Sequence, residues 1–433
     1  MKLPQSPPDA TQALQRLWKD ASARERLLTT PLDDGRYLHW DELRRRKPPT
    51  GLDPAQWWSV LRFQRRLTRR ELPFTDGEGR PFTHAAPPSF AEVLHVIDRR
   101  LADSLVDPDN AYARGLRAHQ LVEVQREEAA SSSILEGAAT TLVIAKELLR
   151  SGRKPANRGE RMVVNNFAAL EFLRTELVQQ PLTPQGVCAL HARITQDTLE
   201  DPADCGRLRK PDDDVHVVDR TDGTVLYTPP PAAQLPKRLE TLCAFTNGAT
   251  LKEFVHPVVR AMLLHLALAS DHPFVDGNGR TARALFYWAM LRQGYTLAEW
   301  FSISAIVRRA RTQYARAFLY TQTDGSDATD FLRHHLRVLK NALAQIQPGF
   351  DDRVHEAASL AKEYGADLNP RQLAVLAHAR KHAGATDTVL THQHDHRIAD
   401  QAARSDLTNL VAAGLLAVRS EGRTRLYASA LGS

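Results

Sequence analysis

Cysteine is scarce in this sequence: three residues in 433, Cys188, Cys205 and Cys243, form an odd, widely spaced set with no Cys-x-x-Cys arrangement. That set supports neither a disulfide framework nor a zinc site, and the three read as ordinary core or surface thiols. Long apolar runs are missing too. Stretches such as Ala261 to Leu264 are far too short to span a bilayer, and the opening Met1-Lys-Leu-Pro-Gln-Ser-Pro-Pro8 lacks the apolar core of a secretion signal. No membrane partner and a cytoplasmic address are therefore expected. A strong charge of one sign is also absent. The net charge of +6 is mild for this length and selects neither for nor against phosphate or nucleic acid as a partner. No internal repeat or long low-complexity tract is visible.

What is present is a chain with 42% hydrophobic residues, long enough for two or three domains that each bury a core. The fold class expected is mainly α. Residues 1–110 read as a helical N-terminal region interrupted at Arg44 to Gly51 and Pro81 to Pro88, where Pro-Pro pairs mark loops. Residues 111–347 read as a dominantly helical domain, in which Val259, Met262, Leu263 and Leu266 fall at the spacing of a helix with one buried face. Within it, Val215-His216-Val217-Val218 and Thr224 to Tyr227 flank an Asp222-Gly223 turn and predict a lone β-hairpin.

Residues 348–369 read as a connector, and 370–433 as a further domain. There, Pro370 to Lys381 and Asp400 to Ala413 read as helices, the second with Ala403, Leu407, Leu410 and Val411 on one side and Gly414 as its stop. Short strands at 415–419 and 424–427 follow, and helices ahead of a two-stranded wing suggest a winged helix-turn-helix. The alternating His392, His394 and His396 suit a strand better than the helix expected there, and no cysteine lies near, so a metal reading is not adopted.

The chemistry concentrates in His272-Pro-Phe-Val-Asp-Gly-Asn-Gly-Arg-Thr-Ala-Arg283, read as a loop between a helix over Val258 to Ser270 and a helix from Arg280 onward. Free N–H groups and the positive dipole end of a helix N-terminus form an anion site, and Gly277 and Gly279 let the backbone close around it. Arg280 and Arg283, three apart, add two guanidinium forks suited to phosphate. Asp276 can hold Mg²⁺ with phosphates supplying other ligands, and His272 is a credible general base for a hydroxyl. Taken singly, such a histidine, turn or arginine pair is usually structural; the constellation points to phosphoryl-type chemistry.

This run resembles the signature of the Fic family at every fixed position. The resemblance implies a helical Fic domain over 111–347 that transfers AMP from ATP to a Ser, Thr or Tyr hydroxyl of a target protein. It implies that His272 deprotonates the hydroxyl and Asp276 holds Mg²⁺. Asn278 and the backbones of Gly277 and Gly279 would line the anion hole, Arg280 and Arg283 would meet the β- and γ-phosphates, and Phe274 would anchor the loop. The family's phosphotransferase branch carries lysine where Gly279 stands, which favours AMP transfer.

Ser132 and Glu136, in Ser131-Ser-Ser-Ile-Leu-Glu-Gly137, resemble the family's N-terminal inhibitory motif, implying that Glu136 pairs with Arg283 and denies it to the γ-phosphate. The hairpin with Val215, His216, Val217, Val218 and Tyr227 resembles the family's flap, which holds a target segment by strand addition; Val217 and Val218 would also border ATP. The family's Asn-Arg-x-x-Tyr-Tyr appears here as Ala310-Arg311-Thr-Gln-Tyr314-Ala315, so its adenine contacts and a strict ATP preference do not carry over. In the winged-helix reading, Gln401, Arg404, Ser405 and Thr408 would face DNA or a protein partner, with Arg419, Arg423 and Arg425 on the wing. Removal of AMP at the same site, and a nucleotide-sensing DNA-binding regulator, stand as alternative functions; the target and the oligomeric state are left open.

Overall fold

In a computed structural model, the residues described are 3–9, 11, 15, 18–21, 25, 37–66, 68–102, 111–219, 222–250, 253–364, 368–381, 386–421 and 424–430. The protein is mainly α with small sheets, as expected. Residues 1–110 are not wholly helical where described. After helices α1 (Trp40–Leu43) and α2 (Pro54–Arg66), strands β1 (Arg70–Thr75) and β2 (Pro81–His84) form an antiparallel hairpin ahead of α3 (Pro88–Ala102). The Pro81 segment, expected as loop, is a strand because Pro81 takes its first position, where no ladder donor is required. Leu72, Phe74 and Phe82 bury one face of the hairpin in the main core.

The helical body follows. Helix α4 (Ala111–Leu135) leads to α5 (Leu142–Ser151), α6 (Arg158–Thr175) and α7 (Pro184–Thr195). Next come the hairpin strands β3 (Val217–Val218) and β4 (Val225–Tyr227), then α8 (Leu235–Thr246). The Arg220 and Thr221 part of the expected turn lies outside the described residues. Helices α9 (Pro257–Asp271) and α10 (Asn278–Arg292) pack on each other at the centre; α11 (Ile303–Arg309) packs against α4, and α12 (Arg311–Thr323) follows it. Met262, Leu263, Leu264, Leu285, Phe286 and Met290 are buried almost without exposure. Each such side chain is worth about 1.5–3 kcal/mol relative to exposure, so this pair is the rigid floor beneath the connecting loop.

The expected connector at 348–369 is largely helix. A single helix α13 (Thr329–Tyr364) continues through Pro348 and Gly349. A proline inside a helix costs about 3 kcal/mol. Here the helix is anchored at both ends, by Leu332, Leu336, Leu339 and Leu343 in the main core and Leu360 in the core of the tail. The tail comprises α14 (Pro370–Lys381), β5 (Thr386–Asp387), α15 (Val389–His396), α16 (Asp400–Ala412) and strands β6 (Leu416–Glu421) and β7 (Thr424–Ser429), with β7 between β5 and β6. Strand β5 is too short to have been read from sequence. The histidine run is the helix α15, where His392 pairs with Asp406 at 3.1 Å. Among the described residues no group of three or more His, Cys, Asp or Glu is placed to hold a metal. No helix among them is long and apolar enough to cross a membrane.

Candidate active site

The loop from His272 to Gly277 crosses from the end of α9 to the start of α10, and its shape is fixed by bonds that it makes to itself and its neighbours. Asn278 clasps it: Phe274 N–H donates to Asn278 Oδ1 (2.9 Å), and Asn278 Nδ2 donates to Phe274 O (2.7 Å). The Asn278 side chain is thus committed to the loop, and only its backbone is left for the anion site. Phe274 is fully buried and stacks on His191 with ring centroids 3.7 Å apart. His191 accepts from Gly206 N–H at Nδ1 (3.1 Å), so its Nε2 carries the proton and donates to Asp276 O (2.8 Å). Burial holds the His191 pKa down at about 4, which keeps the ring neutral. Gly277 sits at φ +85°, and a Cβ there would stand 2.7 Å from Thr195 Cγ2, so both conformation and space demand glycine.

His272 caps α9 in the left-handed region, with φ 46°. Its Nδ1 lies 3.2 Å from Ala269 O, an acceptor only, so Nδ1 carries the hydrogen and Nε2 keeps its lone pair, as a general base requires. Burial lowers its pKa below the ordinary histidine value, against the opposing pull of the Ala269 carbonyl and the Glu136 charge. The imidazole lines a cavity of about 760 Å³, together with Val275, Asp276, Gly277, Asn278, Gly279 and Arg283. That size suits a nucleotide-scale ligand. Asp276 is half-buried: one oxygen accepts from Gly277 N–H (2.5 Å) and the other faces Arg158 at 3.2 Å.

Arg283 and Arg280 diverge, since a three-residue step along a helix leaves about 60° between side chains. Arg280 is fully buried beneath the loop, donating to Ile194 O (3.1 Å) with Asp276 at 3.7 Å, and it does not line the cavity. Arg283 turns toward α4. Its Nε and Nη2 donate to Ser132 Oγ (3.0 and 2.9 Å), Nη2 also reaches Ser132 O (3.1 Å), and Nη1 pairs with Glu136 Oε1 at 2.9 Å. The Glu136 carboxylate lies over Gly279 so closely that a Cβ on Gly279 would overlap it. A carboxylate of the chain itself therefore occupies the N-terminus of α10.

Local chemistry explains how Glu136 is aimed. It stands at the C-cap of α4, where Ala138 N–H donates to Ser133 O (3.0 Å) and Gly137 N–H to Ile134 O (3.0 Å), with Gly137 at φ +90°. This is the Schellman pattern, and it requires the glycine that follows Glu136 in sequence. Arg311 adds a cation at the same helix end by donating to Leu135 O at 3.2 Å. Tyr314, also lining the cavity, bonds His265 Nε2 at 2.8 Å, and burial raises its pKa to about 12.

The β3–β4 hairpin forms the opposite wall, with Val217 opposite Tyr227 and Val218 opposite Val225. His216, Val217, Val218 and Tyr227 line the cavity; Val218 is exposed, while Val215 is half-buried and does not line it. Tyr227 is partly buried against Gly77, in the turn of the N-terminal hairpin, and burial raises its hydroxyl pKa to about 12. Arg238 joins that hairpin to the end of α9, where the His272 loop begins, donating to Asp271 Oδ1 and to Thr75 Oγ1 (2.8 and 2.9 Å). Arg158, His191, Arg209 and Arg238 had not been singled out from sequence. Each acts on a partner 33 or more residues away, and no local spacing marks such contacts.

Residues 181–290 match the model of the Fic/DOC family. The chain is similar to proteins named Protein adenylyltransferase Fic from Drosophila sechellia (28% identical over 216 residues, 47% of this chain and 41% of the relative) and Drosophila mojavensis (28% over 254 residues, 56% and 46%). It spans less than half the length of these curated relatives. Among solved structures, a Fic family protein from Desulfovibrio desulfuricans G20 aligns with a TM-score of 0.49 at 19% identity, covering 83% of this chain and 98% of that one. Fic-1 from C. elegans aligns with a TM-score of 0.41 at 21% identity, covering 62% and 76%.

Proposed function

We infer that the protein is an adenylyltransferase that moves AMP from ATP to a Ser, Thr or Tyr hydroxyl of a target protein and is held back by Glu136. The observation that carries this reading is the meeting of His272, the N-terminus of α10 and Arg283 in one nucleotide-sized cavity, with Glu136 seated on the last two. His272 Nε2 takes the proton of the target hydroxyl, and the freed oxygen attacks the α-phosphorus. The bond from that phosphorus to the bridging oxygen breaks, leaving AMP esterified to the target and pyrophosphate as the leaving group. The N–H groups of Asn278 and Gly279 and the Arg283 guanidinium stabilise the phosphate charge. Glu136 opposes this by holding Arg283 and by placing a carboxylate where the γ-phosphate would lie.

Asp276 fits a Mg²⁺ role, because its half-exposed carboxylate faces the cavity beside the phosphate site and such an ion takes one or two carboxylates plus phosphate oxygens and waters. Bound there, Mg²⁺ would neutralise phosphate charge. The target is expected to lie as an extended segment along the flap, whose exposed Val218 and Val225 offer an apolar edge.

For the tail, the winged-helix reading is supported by its element order and by α16, which buries Ala403, Leu407 and Leu410 and exposes Gln401, Arg404, Ser405 and Thr408. Arg404 pairs with Asp400, which weakens it as a phosphate contact. Arg423 of the expected wing lies outside the described residues. A salt-dependent gel shift of the full chain tests DNA binding.

The central test incubates the chain with α-labelled ATP and Mg²⁺, comparing wild type, Glu136→Gly and His272→Ala. Labelling of the chain or of lysate proteins by Glu136→Gly, lost in a Glu136→Gly/His272→Ala double variant, is the expected result. No labelling by Glu136→Gly sinks the reading, and label from γ-labelled ATP redirects it to phosphate transfer.

A further inference from the structure

Arg209 stands at the junction of the flap and the catalytic loop. Its backbone N–H donates to Pro273 O at 2.9 Å, its Nε donates to His272 O at 2.9 Å, and its Nη2 reaches Asp271 O at 3.4 Å. Three consecutive carbonyls at the end of α9 thus accept from one residue, where a helix terminus leaves its carbonyls without intrahelical partners. The same Nη2 donates to Pro230 O. Arg209 precedes the flap strands and Pro230 follows them, so this guanidinium ties both feet of the hairpin to the backbone of His272. The side chain is buried, and its planar fork is what allows three carbonyls on two segments to be met at once.

His272 needs such support. Its φ of 46° is a conformation that a residue with a Cβ rarely adopts, and the direction of its imidazole depends on that backbone being held. The Nδ1 contact to Ala269 O fixes the ring relative to α9, but nothing in that contact fixes it relative to the flap. Arg209 supplies the second reference.

We propose that Arg209 is a positioning residue for the transfer, setting His272 against the flap so that a hydroxyl presented there meets the imidazole. The proposal rests on the adenylyl-transfer reading for its rate predictions, though not for its geometry. The charge of Arg209 also acts on His272: with burial it lowers the imidazole pKa, while the Ala269 carbonyl, Glu136 and Asp276 raise it.

The test places Arg209→Gln and Arg209→Lys in the Glu136→Gly chain and measures self-labelling from α-labelled ATP, affinity for a fluorescent ATP analogue, and the pH profile of labelling. Arg209→Gln is expected to keep nucleotide affinity within about twofold and to lose roughly 10- to 100-fold in labelling rate. Its acid limb should move to higher pH, because a cation beside the base is gone. Arg209→Lys, which keeps the charge but not the fork, should hold the acid limb in place and recover part of the rate. Equal rates and superimposable profiles overturn the proposal and leave the transfer reading standing, and a parallel loss of nucleotide affinity, marking collapse of the whole loop, overturns it too. If Glu136→Gly labels nothing, the transfer reading falls, and NMR of Arg209→Lys, which keeps the charge but not the fork, decides: His272 ring and flap resonances displaced from those of wild type sustain the positioning role, and unmoved resonances overturn it.

Discussion

The loop from His272 to Gly277 and the β3–β4 hairpin face each other across one cavity and are built on opposite terms. In the loop nearly every polar group is spent on shape: Asn278 clasps Phe274, His191 supports Asp276, and Arg209 holds three carbonyls. The flap consists of two strands of two and three residues, paired at two positions and exposing Val218 and Val225. On the reading proposed, the chemistry repeated on every turnover would sit on the over-determined side, where little reorganisation is needed. On the same reading, target recognition would fall to the side with few fixed bonds, where segments of differing sequence could add as a strand.

The contrast can be broken most forcibly at the base. His272→Ala in the Glu136→Gly chain should lower transfer by about 10²- to 10⁴-fold with nucleotide affinity nearly unchanged, read as labelling rate beside analogue binding. Next in size, Glu136→Gly alone should raise transfer roughly 10- to 100-fold over wild type by freeing Arg283.

The loop's rigidity should also appear as a pH dependence. His191 titrates near 4 in the fold and near its ordinary 6.5 when unfolded, so between these values the unfolded chain binds more protons. Stability from this group is full above pH 6.5 and is lost as pH falls toward 4, at most about 3 kcal/mol. Thermal melts across that window should slope less steeply in His191→Phe, which keeps the stacking on Phe274 but cannot titrate. An unchanged slope would mean that the loop does not depend on a neutral His191. Smallest of all, Val218→Gly with Val225→Gly should leave stability within about 1 kcal/mol and nucleotide affinity unchanged, while lowering target labelling several-fold. A loss of nucleotide affinity there would erase the division of labour between the two walls.

How far sequence reached follows the same division. The run from His272 to Arg283 was legible because its parts are neighbours along the chain, and the Ser132–Glu136 pattern because one helix carries both residues. Gly137 shows why that pattern needs a glycine: the Schellman turn that aims Glu136 requires φ > 0. What escaped depends on distant partners. Arg209 meets His272 63 residues away, His191 meets Asp276 at 85 and Arg158 meets it at 118. The β1–β2 hairpin was hidden by Pro81, which reads as loop unless its place at the head of a strand is known. Helix α13 passed through Pro348 because two hydrophobic cores grip its ends, information that no local window holds.

The tail touches the helix that bears Glu136. Arg126 of α4, almost wholly buried, is paired with Asp395 of α15, and Arg397 reaches Gln125 and Glu171 at 3.1 and 2.8 Å. On the reading proposed, Glu136 is a tethered competitor, present at an effective concentration that the fold sets and that neither dilution nor added ATP alters. Its grip is then a matter of leverage: a load on the tail bears on the helix at Arg126, ten residues before Glu136, or about 15 Å along the helix axis.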